Sequence, residues 1–265
     1  MKITHDYHIH TNLSLCATET ATVANYIKRA RVLGLTQLGF ANHFWDEKVG
    51  HCPNGFYRKQ NWEHVRVLKD ELETLQADDI QVYFGCEAEY DPVNHGVAIT
   101  EERAEQFDFI IVPNSHTHIV MPKELYQPYQ KHVDFMVQAY REIIESPVSR
   151  FITAIAHPFE AVCCPYDKNI LIQIITDDCL KRLFDRTAVK GIAVEVNMSG
   201  MQHMSHEELV DCAQMRMFRL AKECGCKLIF GSDDHSCKSP DIYKNVDYVA
   251  KLLGLQEEDL KRIAK

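Results

Sequence analysis

Short apolar runs alternate with longer amphipathic stretches from one end of the chain to the other, the pattern of β-α units around a parallel sheet. The first run predicts a strand over Ile3–Ile9, followed by a helix over Thr22–Leu33 that Gly34 stops as a C-cap signal. A second strand falls over Thr36–Ala41, then a loop rich in Gly50, Pro53, Asn54 and Gly55, then a helix over Trp62–Gln76. Gln81–Phe84 predicts a third strand that leads to Glu87, and Tyr90–Val97 reads as loop before a short helix. Phe107–Val112 and Phe151–Ala156 predict strands four and five, separated by a helix over Val133–Ile144 that ends before Pro147. Leucine and isoleucine spacing predicts one helix over Ile170–Thr187 despite its β-branched residues. Strand six is Ile192–Val196. The helix Glu207–Cys224 follows Ser205, which with Glu208 carries a capping-box signature. Lys227–Phe230 is strand seven, and Ile242–Arg262 reads as helical.

Seven strands with their helices predict an α/β fold, a single domain over residues 1–265 built as a (β/α)7 TIM-like barrel. A doubly wound sheet is the rival architecture. It would gather functional residues at one switch point, whereas here each strand runs into a residue able to bind a metal. Those residues are His8 and His10, His43, Glu87, His116, His157, Glu195, and Asp233 with His235. Imidazole and carboxylate are ligands that zinc, manganese and iron share. In a parallel barrel the strand ends form one rim, and that rim carries active sites.

Composition narrows the function. A hydrophobic content of 46% is ordinary for a globular protein, and no apolar run reaches the length of a membrane span. The formal charge of −9 argues against nucleic acid or an anionic membrane as a partner held by bulk electrostatics. An N-terminus without a signal-like apolar stretch makes cytoplasmic, reduced thiols the expectation for the ten cysteines. Cys163–Cys164 and Cys224–Gly225–Cys226 lack CxxC spacing and read as packing residues. The pattern carries no signal for an oligomeric state.

Two alternating pairs frame the chain. His8–Ile9–His10 puts both imidazoles on one side of an extended strand. Asp233–Asp234–His235 repeats that geometry after Gly231–Ser232, small residues that let the backbone crowd a site. The pairs face each other only if the first and last strands are neighbours, which barrel closure provides. Pro158 biases His157 toward extended geometry. Glu87 is an expensive carboxylate to bury unless a metal offsets it, and Glu89 is positioned to replace it. Glu195 and Asn197 rank below the others, as ligands, as groups that orient a ligand, or as loop caps.

In order and spacing these segments, HisIleHisThr, AsnHis, GlyCysGlu, AsnSerHis, AlaHisPro and GlySerAspAspHis, resemble the motifs of the PHP (polymerase and histidinol phosphatase) superfamily. The resemblance runs over nearly the whole chain, and members closest in size are histidinol-phosphatase-type phosphoesterases. It implies a distorted (β/α)7 barrel with two or three divalent metal ions (Zn, Mn or Fe) at the C-terminal rim and phosphate ester hydrolysis as the chemistry. Carried over position by position, the family's ligands fall on His8, His10, His43, Glu87, His116, His157, Asp233 and His235. The chain departs from the pattern at Cys16, where three-metal members have a further histidine. A Cys16 thiolate either binds in its place and favours a softer ion, or is an ordinary buried cysteine beside a two-metal site. Asn114 stands where a serine is expected, and His118 follows His116 as a second ligand candidate or a group facing substrate.

The expected reaction is attack on a small-molecule phosphomonoester by a metal-bridging hydroxide, with His118 or His235 protonating the leaving alkoxide. Ser115 and Ser232 lack GxSxG context and are not expected to be nucleophiles. Arg58 and Lys59, Lys123, and His203 with His206 are the candidates for phosphate contact, and Tyr57, Trp62 and Tyr126 for covering the leaving group. Three alternatives remain. An amidohydrolase-type C–N hydrolase also begins with an HxH pair, but commonly carries a lysine after strand four, where this chain has His116. A proofreading exonuclease predicts extra domains and a basic channel. A non-catalytic module would bind metal without turnover.

Overall fold

The computed structural model describes residues 1–161, 168–238 and 240–263. Its strands are β1 (His5–Ile9), β2 (Gln37–Phe44), β3 (Gln81–Ala88), β4 (Tyr90–Asp91), β5 (Gly96–Val97), β6 (Phe109–Pro113), β7 (Ala154–Ala156), β8 (Ala193–Asn197) and β9 (Leu228–Gly231). Seven of them form one parallel sheet in the order β1-β2-β3-β6-β7-β8-β9, while β4 and β5 pair as a separate antiparallel hairpin. The sheet curls until its edges meet: Ile9 bridges Asp234, the His10 N–H donates to the Asp234 carbonyl at 3.0 Å, and the Asp233 N–H donates to the His8 carbonyl at 2.7 Å. The fold is a distorted (β/α)7 barrel, closed at the end where the polar residues collect.

Inside the barrel lies a layer of Tyr7, Ala41, Tyr83, Phe109, Ile111, Ala154, Ala156, Ala193 and Ile229. Phe109 fills its centre because β2 and β3 offer no side chain there; a Cβ on Gly85 would sit 2.2 Å from the ring, and one on Gly39 2.7 Å. Outside the strands a larger apolar layer meets the amphipathic faces of the helices. Tyr7 belongs to the interior layer whereas Ile9, two residues on, packs under the helix Val23–Leu33. Strict alternation forbids that, and the β1–β2 register shift between Asp6 and Ile9 resolves it. The irregularity re-aims the end of β1, so His8 and His10 point inward above Tyr7.

Several predicted boundaries move, each for a local reason. β2 and β3 run on to Phe44 and Ala88, so His43 and Glu87 are in-strand partners in register rather than residues beyond a strand end. Tyr90–Val97 is not plain loop but the β4–β5 hairpin, whose turn Asp91 ties by accepting from the Val93 and Asn94 N–H groups. The Ile170–Thr187 helix divides into Lys168–Ile174 and Asp177–Val189, because Thr176 turns out of the helix and caps the second piece through the Cys179 N–H. Glu207–Cys224 divides at Cys212, whose ψ of 149° is extended, into His206–Asp211 and Ala213–Glu223. The capping box of Ser205 and Glu208 is present. Phe151 ends a 3-10 turn, which shortens β7, and the C-terminal segment is one helix, Val246–Leu252, between 3-10 turns. Among the described residues no helix is long and apolar enough to cross a membrane. The eight described cysteines are unpaired; Cys226 is buried as a packing residue, and Cys163–Cys164 lie outside the described residues.

His5 lies beneath the closed end. Its Nε2 accepts the Phe230 N–H at 3.1 Å, its ring stacks on Tyr7, and the Arg262 guanidinium sits 2.9 Å from its Nδ1. Burial, then repulsion by Arg262, pulls the imidazole from 6.5 down to about 3. An unfolded His5 therefore takes up a proton that the folded one refuses. Its contribution to stability is complete above pH 6.5 and is lost as pH falls toward 3. His5→Gln is expected to shallow the loss of stability across that window. Urea midpoints followed from neutral to mildly acidic pH check it; parallel pH slopes in the two proteins would remove His5 from the account.

Candidate metal centre

Register builds the centre. β2 and β3 pair His43 directly with Glu87. β6 and β7 end just before His116 and His157, and the β1–β9 closure sets His8 and His10 against Asp233. Glu87, 1% exposed, occupies the middle. Its Oε1 lies 2.9 Å from His157 Nε2 and 3.6 Å from His116 Nε2. Its Oε2 lies 2.7 Å from His43 Nδ1, 3.6 Å from His10 Nε2 and 3.7 Å from His8 Nε2. Asp233 Oδ1 stands opposite, 3.2 Å from His10 Nε2 and 3.5 Å from His8 Nε2.

Four overlapping groups follow, each with its donor atoms within 4.8 Å of one another: His8, His10 and Asp233; His8, Glu87 and His157; His43, Glu87 and His116; and His10, Cys16, His43 and His235. His8, His10, His43, Glu87, His116, His157, Asp233 and His235 each belong to at least one group, whereas Glu195, Glu89 and His118, the other ligand candidates of the sequence, belong to none.

The far sides of the rings are also engaged. His8 Nδ1 meets Glu195 Oε1 at 2.7 Å, and His116 Nδ1 meets Glu89 Oε2 at 2.8 Å. A carboxylate only accepts, so each Nδ1 carries a proton, and Nε2 is the nitrogen that each ring turns inward. Ser14 Oγ and Ser115 Oγ stand behind His10 and His157, 3.2 and 2.6 Å from Nδ1, and hold the orientation of those rings. His235 Nδ1 donates to the Asp233 carbonyl at 2.8 Å. Glu195, which the sequence ranks low, orders two ligands at once, because its Oε2 also accepts the His157 N–H at 2.6 Å. Asp234, by contrast, is withdrawn from the centre: Arg29 Nη1 holds it at 2.5 Å, and its oxygens accept from the Ser236 and Cys237 N–H groups. Two of the candidate ligands sit at positive φ, His157 at 27° and Asp233 at 54°, backbone strain of the kind that marks functional sites. The extended geometry expected of His157 before Pro158 is thus corrected; the bonds to Glu195 and Glu87 override the local bias.

This arrangement fits cations. His8 and His10 bring two Nε2 atoms within 3.1 Å, a spacing that a shared proton or a cation can bridge. Glu87 Oε2 and His43 Nδ1 are buried 2.7 Å apart without the alignment of a hydrogen bond, as two donors turned toward a shared cation would be. Charges respond as expected. Burial raises the Glu87 and Asp233 carboxyls, but His43 and His116 for the one, and His8 and His10 for the other, hold both well below the usual carboxylate range. Burial pushes the Cys16 thiol up, yet hydrogen bonding to His235 and His43 wins and brings it down to about 6.

A cavity of about 430 Å3 opens over the centre, lined by Cys16, His43, Asn54, Phe56, His116, His118, Ile119, Asp233 and His235. His118 is exposed on the short helix Thr117–Val120, its ring 5.7 Å from that of His116. The proposed phosphate contacts are not on this wall. Arg58 lines a neighbouring cavity with Trp45, Glu47 and His51. It shares the helix Gly55–Arg58 with Phe56, and at 100° per residue the side chains two apart diverge, so Phe56 takes the mouth. Lys123 and His203 are exposed in turns beyond it, and His206 stacks on Tyr248. Tyr57 is buried behind the centre and donates to Glu89, Trp62 packs against Phe84 and Phe107, and Tyr126 stacks on His132. Phe56, Ile119 and Asn54 escape the sequence reading because no metal-binding chemistry marks them.

Fold and rim together define an α/β barrel whose strand ends converge on overlapping ligand groups. A family model described as the PHP domain matches residues 6–199, and the chain belongs to that family. Asp233 and His235 lie beyond the matched segment and join the centre through barrel closure. A probable phosphatase of Clostridium novyi (strain NT) is 21% identical over 258 residues, covering 97% of this chain and 89% of that protein. The histidinol phosphate phosphatase of Lactococcus lactis subsp. lactis Il1403, solved with zinc, L-histidinol and phosphate, superposes with a TM-score of 0.66 at 18% identity, over 96% of this chain and 94% of that one. The putative histidinol phosphatase of Listeria monocytogenes gives a TM-score of 0.67 at 12% identity, over 92% and 99%.

Gly231 makes room for the Glu195 bridge: a Cβ there would lie 2.0 Å from Glu195 Oε1 and 2.5 Å from His8 Cβ. Glu195→Gln is expected to weaken metal retention by about 10–100-fold with the fold intact, and Gly231→Ala to do so at least as strongly. Metal content after dialysis against graded chelator, beside circular dichroism, is the check. Wild-type retention in both variants would exclude an orienting role for Glu195.

Proposed function

We propose that this chain is a metal-dependent phosphoesterase that hydrolyses a small phosphomonoester, with divalent ions held by His8, His10, Glu87, His116, His157 and Asp233. The observation that carries the reading is Glu87, whose two oxygens face different histidine sets and so suit a carboxylate shared between neighbouring ions. Family membership and the phosphatases that resemble this chain support the same reaction class. Bound divalent ions would supply Lewis acidity toward phosphoryl oxygens and lower the pKa of the attacking water.

The side chains divide the remaining work. Glu195, Glu89, Ser115 and Ser14 keep the ligand imidazoles in the tautomer and orientation that the ions require. Among the described residues that line the mouth there is no lysine or arginine, so the ions are the chief positive charge offered to phosphate. Phe56 and Ile119 present an apolar wall to the alcohol half of the ester. Protonation of the leaving oxygen falls to His118 rather than His235. With its Nδ1 proton committed to the Asp233 carbonyl, His235 turns a lone pair toward the cluster, whereas His118 stands exposed at the mouth.

The test is a panel of sugar, amino-alcohol and nucleotide phosphates, with cyclic amides alongside, assayed after chelation and after manganese or zinc is restored. Chelation and His157→Ala are each expected to lower phosphomonoester turnover by about 10³-fold or more. His118→Gln is expected to cost about 10²-fold on alkyl phosphates and far less on p-nitrophenyl phosphate, whose leaving group needs no proton. Turnover of amides alone, or of no ester under any metal, would overturn the proposal; an equal loss on both ester types would remove His118 as the acid.

A further inference from the structure

Three of the four ligand groups offer only oxygen and imidazole nitrogen; the fourth contains a sulfur. We propose that Cys16, His43 and His235 form a thiolate-bearing site that takes zinc or cobalt in preference to manganese, making the centre a mixed one, with a soft ion at the mouth and harder ions around Glu87. This rests on the metal reading of the rim, not on the identity of the reaction.

His10 also falls within that group, but its Nε2 is turned to Asp233 at 3.2 Å, which assigns it to the adjoining cluster. The remaining three side chains all line the open cavity. Three protein donors with a free position toward the mouth are the arrangement of a zinc site that admits a water or substrate oxygen. A thiolate shifts preference toward zinc and away from manganese, which carboxylate and water suit better. The two imidazoles are ready for it. His235 Nδ1 donates to the Asp233 carbonyl, leaving Nε2 for an ion, and His43 turns Nδ1 to Glu87 at 2.7 Å, leaving its Nε2 for the Cys16 group.

The loop that carries Cys16 is held in place for this role. The Thr18 N–H donates to the His235 carbonyl at 2.8 Å and the Thr20 hydroxyl to the Ser236 carbonyl at 2.5 Å, which ties the Cys16 loop to the His235 loop. On the other side, Asn42 Oδ1 accepts from the Thr11 N–H at 2.8 Å and the Ser14 hydroxyl at 3.1 Å, anchoring the loop beside His43. Cys16 is the exposed one among the described cysteines, yet backbone ties on both flanks fix it at the mouth.

Cobalt titration of metal-stripped protein tests the site without any substrate. Wild type is expected to develop an intense near-ultraviolet sulfur-to-cobalt charge-transfer band. In Cys16→Ser the band is expected to vanish and bound zinc to fall by about one equivalent per chain, with manganese content unchanged. Cys16→His is expected to restore the zinc without the band, which separates ligation from folding. Cobalt bound in full without a band, a band that survives in Cys16→Ser, or equal zinc in wild type and Cys16→Ser would each overturn the proposal. A protein that shows the band but hydrolyses no phosphoester would refute the proposed reaction alone, and a phosphatase without the band would refute the thiolate site alone.

Discussion

A carboxylate with almost no exposure, ringed by five imidazoles, sets the terms for the rest of this molecule. Removing an ionised carboxylate from water is costly enough that isolated groups neutralise instead of staying charged. Glu87 remains a carboxylate because His43, His116 and His8 surround it, and bound cations would do the same more strongly. The in-register pairing of β2 with β3, the shift in β1 and the carboxylates behind His8 and His116 all serve to hold that ring closed around one side chain.

The second constraint is the seam between β1 and β9. It brings His8 beside Asp233, residues from opposite ends of the chain, and it is itself stapled by buried polar groups. Asp6 lies in that seam, accepting from the His8 and Ser232 N–H groups and from the Tyr243 hydroxyl. Arg29, stacked on Tyr26, holds Asp234 just outside it. These contacts decide which of the two adjacent aspartates reaches the centre. They also link stability to function, since any slip of the seam separates ligands before it exposes much core.

Above the ring, the mouth offers a substrate two unlike surfaces. One is the ligand cluster with Cys16, His43 and His235; the other is the apolar pair Phe56 and Ile119, and Asn54 and His118 also line the cavity. Such an entrance fits the small phosphomonoester proposed as substrate, with its charged end toward the ligand cluster and its alcohol toward the apolar pair. As proposed, the Cys16 thiolate gives that entrance its preference for a softer ion.

The chain's own pattern was enough for the barrel class, for most strands and for the ligand types. Apolar runs and residue chemistry are local properties, and His8, His10, Glu87, His116 and His157 sit close to where those runs stop. Helix breaks at Thr176 and Cys212 were hidden because apolar spacing continues across them while the turn depends on a cap and one extended residue. Tertiary structure alone settled the finer matters: Glu195 as a bridge between His8 and His157, Phe56 rather than Arg58 at the mouth, and Cys16 beside His235. Each depends on register, on a backbone irregularity or on barrel closure. Those fix the direction of a lone pair between residues far apart in sequence, and no local spacing encodes a direction.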